Sequence, residues 1–221
     1  MRKSTAKAPE ESRGVTSLLE ADLIAGMFRP GEWLKQADIE SMYNAHRFDV
    51  RMALLDLKTR HLIEHIPNRG YRVINLTERE REDLIHTRTV LETAAVRLAV
   101  KHRDEEDLLE LRTLVDRFEN AIDTGEMEML RDLNFTFHDR FYATCGNRIL
   151  AGEITAMRQR GLPGARGWRS HASIRQSNQD HAEMVRLLEA RDADGLVALV
   201  DRHLNRWREG GTVLATAQFE A

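Results

Sequence analysis

The chain is poor in cysteine and in long apolar runs, and each shortage excludes a class of protein. Its 221 residues include one cysteine, Cys145, so no internal disulfide framework can form. No stretch approaches the roughly 18 apolar residues of a membrane span. The N-terminal segment MRKSTAKAPEES lacks the apolar centre of a secretion signal. We therefore expect a cytoplasmic protein that does not associate with membranes.

Several enzyme motifs are also absent, and the charge is unevenly distributed. We find no phosphate-loop glycine motif, no parallel-sheet pattern, no internal repeat and no His-Glu-x-x-His run. Residues 1–76 carry 12 Lys/Arg against 10 Asp/Glu, whereas residues 77–221 carry 21 against 26. Basic residues crowd into one short segment of the first part: Arg47, Arg51, Lys58, Arg60, Arg69 and Arg72. This cluster of positive charge indicates a small binding surface for a polyanionic partner.

The periodicity of apolar residues divides the chain in the same place. In residues 13–76, three short helical segments precede two β-rich runs, LIEHI and YRVIN, which the turn-forming PNRG joins. This order predicts a winged helix-turn-helix, preceded by a flexible tail over residues 1–12. Residues 77–221 have helical periodicity almost throughout, with Asp104 and Asp107 placed to cap one helix. We therefore expect a mainly α protein whose second domain is an antiparallel helical bundle.

These segments together resemble the GntR regulators of bacterial transcription, in the branch with an FCD, or FadR-type, C-terminal domain. The resemblance runs from Val15 to Trp207 and rests on LIAGMFRPGEWL, HRFDVRMALLDL and HLIEHIPNRGYRV. It implies binding to double-stranded DNA. Family members usually carry Ser-Arg-Thr-Pro-Val-Arg-Glu-Ala-Leu in the recognition helix. The chain matches this pattern at Arg47, Val50, Arg51, Ala53 and Leu54, and departs from it at His46, Phe48, Asp49 and Met52. The departures bear on the operator sequence.

Two arginines four residues apart are the leading DNA-binding candidates. Arg47 and Arg51 share one helix face, where an arginine can bind guanine or clamp a phosphate; a solvated charged face is the alternative. Arg69 lies at the predicted wing tip, placed for a phosphate or the minor groove. Asp49 either caps the helix or accepts a hydrogen bond from cytosine. The candidate DNA-binding residues are Arg47, Phe48, Asp49, Arg51, Lys58, Arg69 and Gly70.

Three predicted helices of the second domain each carry one histidine on an apolar face. A single histidine on such a face is more often a core residue whose hydrogen bonds are satisfied. Because His138, His181 and His203 lie on three helices of one bundle, however, we expect their side chains to converge on one point. Converging imidazoles suit Zn²⁺, Ni²⁺ or a similar divalent cation, with Asn134 as a possible fourth donor one turn before His138. Many FCD domains are similar here, and the resemblance implies a divalent metal at the floor of an effector cavity.

The proposed ligands carry no negative charge, and this points to an anionic effector. Three neutral imidazoles and an amide would leave the charge of a divalent metal uncompensated. Arg88 lies on an otherwise apolar helix face and requires an anionic partner, which is either an effector or Glu92 one turn later. Arg158 is a second candidate anion ligand. By similarity to the family, the effector is a small organic acid.

The sequence therefore predicts a metal-assisted carboxylate sensor joined to a DNA-binding domain. We expect a repressor that binds a palindromic operator as a homodimer, because one short recognition helix yields limited affinity. Two alternatives stay open. The histidines could bind the anion directly in a metal-free regulator, or they could serve an all-α metallohydrolase, although no general base is evident beside them.

Overall fold

The computed structural model describes residues 14–125, 127–160 and 171–206. The chain divides into two compact units, one comprising residues up to Asn75 and the other beginning at Leu76. The predicted tail, residues 1–12, lies outside the described residues.

The first unit is a winged helix-turn-helix, as the sequence predicts. Its helices are α1 (Val15–Ala25), α2 (Gln36–Met42) and α3 (Arg47–Thr59), and its strands are β1 (Trp33–Leu34), β2 (Ile63–Ile66) and β3 (Gly70–Val73). The strands form an antiparallel sheet in the order β1, β3, β2. The predicted hairpin is therefore present, and β1 adds a short third strand that the sequence analysis did not identify.

Apolar packing between α1 and α3 holds this unit together. Leu19 and Leu23 of α1 are fully buried with Val50, Leu54 and Leu57 of α3 in one core cluster. These three α3 residues recur at helical spacing, so burying them leaves the opposite side of α3 facing solvent. The fold thus presents one face of α3 to a partner.

The second unit is all-α over the residues described. Its helices are α4 (Glu78–His102), α5 (Glu105–Ile122), α6 (Met127–Ala143), α7 (Arg148–Arg160), α8 (His171–Glu189) and α9 (Ala193–Asn205). A capping box of Asp104 and Asp107 begins α5 as predicted, and a second one, of Thr77 and Glu80, begins α4. None of the described helices has the length and apolar character needed to cross a bilayer.

The core of the second unit brings α6, α8 and α9 together around polar residues. Phe137 and Phe141 of α6, Met184 of α8 and Leu199 of α9 belong to one buried cluster. His138 and His181 are buried within this region. Buried polar side chains cost stability unless they find partners, so their presence here requires a physical reason.

Candidate functional site

The three predicted histidines lie together inside the second unit. His138 on α6 and His181 on α8 are 1% and 0% exposed, and their Nε2 atoms are 3.1 Å apart. One ring nitrogen from each of His138, His181 and His203 lies within 4.8 Å of the others. Two nitrogens bound to one cation at about 2.1 Å are roughly 3.0 to 3.4 Å apart. The His138 to His181 separation therefore fits a shared metal ion.

The buried carboxylate of Asp180 orients the third histidine. Its Oδ2 accepts a hydrogen bond of 2.8 Å from His203 Nδ1, and Arg206 pairs with both carboxylate oxygens. Burial alone would raise the pKa of Asp180, but these bonds lower it to about 2, so the carboxylate is ionised and can only accept. His203 Nδ1 must then donate, which leaves Nε2 as its metal-binding atom. Metal-binding histidines commonly have such a carboxylate partner.

Burial keeps the imidazoles neutral. It lowers the pKa of His138 and of His181 well below the ordinary value of 6.5; the charge of Arg158 lowers that of His138 further, and His203 lowers that of His181. The Nδ1 atoms of His138 and His181 have no hydrogen-bond partner among the described residues. Neutral imidazole is the form that binds a cation, so the donor set suits a divalent metal.

A second buried group, next to the histidines, contains both predicted anion-binding arginines. Glu92 on α4 is 1% exposed, and its Oε1 accepts a hydrogen bond of 2.8 Å from Arg88 Nε. An Arg158 guanidinium nitrogen lies 4.0 Å from Glu92 Oε2, and the Tyr142 hydroxyl donates to the same oxygen. The Tyr142 ring also stacks on that of His138, with centroids 6.1 Å apart. The Arg88–Glu92 pair left open by the sequence is therefore formed.

This second group holds more positive than negative charge. Although burial would raise the pKa of Glu92, Arg88 and Arg158 lower it, so the carboxylate is ionised. Burial and the charge of Arg88 lower the pKa of Arg158 to about 10, which still leaves it protonated near neutral pH. Arg158 Nε is buried without a partner among the described residues. The group itself contains one carboxylate for two guanidiniums, and the other carboxylate that acts on Arg158, that of Asp139, is exposed, so the arrangement is suited to receive a second anion.

Asn134, the predicted fourth metal donor, lies one turn before His138 on α6 and is partly buried. Asp180 and Tyr142 were not predicted from the sequence as parts of this site. Asp180 immediately precedes a predicted metal-binding histidine, and Tyr142 lies one turn after another, at position i+4 from His138. The signal for both is a hydrogen-bonding side chain next to, or one helical turn from, a predicted ligand.

The predicted DNA-binding residues of α3 are solvent-exposed. They are Arg47, Phe48, Asp49, Arg51 and Lys58. His46 occupies the N-cap of α3 without a side-chain cap bond, and Asp49 lies inside the first turn. Asp49 is therefore not the N-cap residue, although its charge still complements the helix dipole.

The wing places Arg69 beside an aromatic ring. Arg69 follows Asn68, whose φ is 63°, and precedes Gly70, whose φ of 101° is accessible mainly to glycine. Its guanidinium carbon lies 4.8 Å from the centroid of the Trp33 ring, an arrangement that favours a cation–π contact. The exposed tip of the wing therefore carries a positive charge that lies beside Trp33.

Comparison with known proteins assigns both units. Residues 83–206 match the FCD domain, and residues 11–73 match the family of bacterial regulatory proteins described as gntR. The chain belongs to the GntR family. This GntR regulator is 28% identical over 179 residues to the Nta operon transcriptional regulator of Aminobacter aminovorans, covering 81% of this chain and 84% of that one. It is 28% identical over 201 residues to the repressor GlaR of Escherichia coli, covering 84% and 89%.

A solved structure supports the same assignment. The structure of Escherichia coli McbR/YncC superposes on the GntR regulator with a TM-score of 0.75, at 25% identity, covering 87% of this chain and 92% of that one. A Rhodococcus regulator shares the fold, with a TM-score of 0.72 at 21% identity. Because the matched families and these relatives are transcriptional regulators, the protein is a DNA-binding regulator and not the metallohydrolase that the histidines alone left open.

Proposed function

We propose that this GntR regulator is a homodimeric repressor whose binding to a palindromic operator is controlled by a small organic acid. The acid would bind in a cavity of the FCD domain beside a divalent metal ion, with Zn²⁺ or Ni²⁺ as the preferred candidates. The observation that carries this proposal is the convergence of two buried imidazoles and one partly buried imidazole within 4.8 Å, next to an arginine whose Nε is buried without a partner among the described residues. The name of the relative GlaR, a transcriptional repressor, supports the direction of control.

The metal would be held by His138, His181 and His203, with Asn134 as a fourth donor. Its role would be that of a fixed positive charge at the floor of the cavity, to which a carboxylate oxygen of the effector binds. Asp180 would orient His203 from outside this ligand set. Arg88 and Arg158 would bind the remaining oxygens of the acid.

A metal-free regulator is the second candidate, and one distance favours it. The 3.1 Å between His138 Nε2 and His181 Nε2 is also the length of a direct hydrogen bond between neutral imidazoles. Direct anion binding by these histidines would be strongest if they were protonated, and burial opposes protonation by lowering the pKa of both. We therefore favour the metal-bound form, in which the cation supplies the positive charge that the neutral imidazoles lack.

DNA binding would use α3 and the wing of each protomer. Arg47 and Arg51 would contact guanine edges or phosphates, Lys58 a phosphate, and Arg69 with Gly70 the phosphates or minor groove beside the site. Asp49 would accept a hydrogen bond from cytosine. If Asp49 reads a base, Asp49→Ala should relax specificity at one position, whereas uniformly tighter binding to all sequences would contradict this role.

Elemental analysis of the purified full-length protein tests the metal. We expect about one divalent ion per chain after incubation with Zn²⁺ or Ni²⁺ and desalting, and a large loss in His138→Ala and His203→Ala. His86→Ala is the control because His86 is exposed on α4. No bound metal in the wild type after supplementation would defeat the metal proposal and leave the metal-free regulator.

Asn134→Asp tests the fourth donor. A carboxylate would add a negative charge to the ligand set, so this variant should bind the metal more tightly than the wild type. Competition with a chromophoric chelator measures the change. An unchanged or weaker affinity would remove Asn134 from the proposed site.

A thermal-shift screen of organic acids, with and without added Zn²⁺, tests the effector. An acid that binds the folded FCD domain raises its melting temperature. The same acid should weaken operator binding by the wild type in a mobility-shift assay, because the two equilibria are coupled. An acid that stabilises the protein and strengthens operator binding would overturn the proposed opposition between effector binding and operator binding.

A further inference from the structure

The outward face of α3 is apolar, which is unusual for a helix that binds DNA. Phe48, Met52 and Leu55 are 72%, 50% and 48% exposed. At about 100° per residue, these three side chains fall within roughly 60° of one another. They lie directly opposite the buried residues of α3, which are Val50, Ala53, Leu54 and Leu57. We call Phe48, Met52 and Leu55 the apolar strip.

Charged residues of opposite sign flank the apolar strip. Arg47, Arg51 and Lys58 fall within roughly 40° of one another along one side, and Asp49 and Asp56 lie along the other. We call Arg47, Arg51 and Lys58 the basic row. The basic row suits one phosphate backbone of a duplex, and a helix anchored there would turn the apolar strip toward the floor of the major groove. The charge beside the strip therefore favours DNA over an apolar protein surface as its occupant.

The thymine methyl group is the apolar feature that the major groove offers to such a strip. It projects from C5 of thymine, and cytosine has no counterpart at that position. Residues near the N-terminus of a recognition helix contact base edges, and Phe48 is the second residue of α3. Met52 lies one turn later on the same line, where its flexible side chain can complete the contact.

We propose that Phe48, supported by Met52, packs against the 5-methyl group of a thymine and selects a T·A pair at one position in each operator half. This inference rests on the docking of α3 in the major groove proposed above. It assigns specificity to residues that differ from the usual family sequence, whereas Arg47 and Arg51 match that sequence. Phe48 would act by excluding water from the methyl group, without a hydrogen bond.

Replacement of thymine by deoxyuridine tests the proposal, because it removes only the methyl group. A high-affinity duplex is first selected from a random pool with the full-length protein, and each thymine is then replaced singly. Burial of one methyl group supports about a four-fold change in affinity. We expect about four-fold weaker binding by the wild type at one thymine per half-site, and no discrimination at that position by Phe48→Ala. Leu109→Ala is the matched control, since Leu109 is an exposed leucine of α5.

Each outcome of this experiment is decisive. If no deoxyuridine replacement weakens wild-type binding, or if Phe48→Ala still discriminates at that position, the methyl contact is refuted while DNA binding stands. If no duplex is selected at all, the proposed DNA binding by α3 is refuted, and the methyl contact that depends on it is refuted with it. If Phe48→Ala instead changes the sedimentation of the DNA-free protein while Leu109→Ala does not, the apolar strip is a protein interface and the proposal is overturned. Circular dichroism of Phe48→Ala checks that it is folded.

Discussion

Replacing the buried Glu92 by glutamine should be among the most destabilising single substitutions in the FCD domain. Glutamine has nearly the same shape and can still accept a hydrogen bond from Tyr142. It removes the negative charge that lies 2.8 Å from Arg88 Nε and 4.0 Å from an Arg158 nitrogen. Two largely buried arginines, with side chains 14% and 12% exposed, would then lie near each other without the counter-charge of Glu92.

The distances set the size of this effect. With an effective dielectric constant of about 20, charges 2.8 Å and 4.0 Å apart attract by about 6 and 4 kcal/mol. Much of this attraction is offset because glutamine, unlike glutamate, loses little hydration on burial. Removing one partner of a buried ion pair costs about 3–5 kcal/mol in total. For a domain of this size, that loss corresponds to a melting temperature about 6–20 °C lower.

Urea unfolding of the full-length protein, followed by circular dichroism, measures the loss. Glu110→Gln is the matched control, because Glu110 pairs with Arg140 on the surface, where the two side chains are 41% and 50% exposed. An exposed pair contributes at most about 1 kcal/mol. If Glu92→Gln costs no more than Glu110→Gln, the buried charge balance described for this domain is wrong. Added sulfate or carboxylate should recover part of the loss by binding to the uncompensated arginine charges.

Three further predictions concern the same domain. Arg158→Met should leave the stability of the ligand-free protein unchanged or raised, and should abolish the carboxylate-induced thermal shift; a retained shift would exclude Arg158 from the effector site. Asp180→Asn should weaken Zn²⁺ binding about 10- to 100-fold in chelator competition, and an unchanged affinity would refute its orienting role. Because the folded pKa of His138 is depressed, the unfolded chain takes up the proton first, so stability of chelator-treated protein should fall below about pH 6.5. His138→Gln should reduce this slope by about 1.4 kcal/mol per pH unit, and His86→Gln, at an exposed position of α4, is the control variant.

The sequence predicts the fold well because most helices and turns are encoded by residues that are close together in the chain. Helical periodicity, the Asp104 cap and the Pro67 to Gly70 turn each depend on residues that are near neighbours in the chain. Strand β1 was missed because two residues, Trp33 and Leu34, are too few to show alternation. Its existence depends on pairing with Arg72 and Tyr71, which the sequence does not reveal.

In the candidate site, too, contacts between residues close in the chain could be predicted from the sequence, and contacts between distant residues could not. The Arg88–Glu92 pair joins residues four apart on one helix, so helical geometry alone anticipates it. The contacts of Tyr142 and Arg158 with Glu92 join residues 50 and 66 positions apart, and only tertiary packing brings them together. Asp180 was missed for another reason: a neighbour of His181 in sequence is rotated about 100° around α8, toward a different helix.

The apolar strip on α3 also bears on how the free protein behaves in solution. A phenylalanine that is 72% exposed would ordinarily favour self-association. When two copies approach through this face with their α3 helices antiparallel, the basic row of one lies against that of the other, and the repulsion between them acts over a Debye length of about 10 Å at 0.1 M salt. The same positive charges that attract an operator would thus oppose self-association of the free protein in this orientation. Concentrated salt would remove both effects at once, so stocks prepared at high ionic strength are where aggregation through α3 is expected.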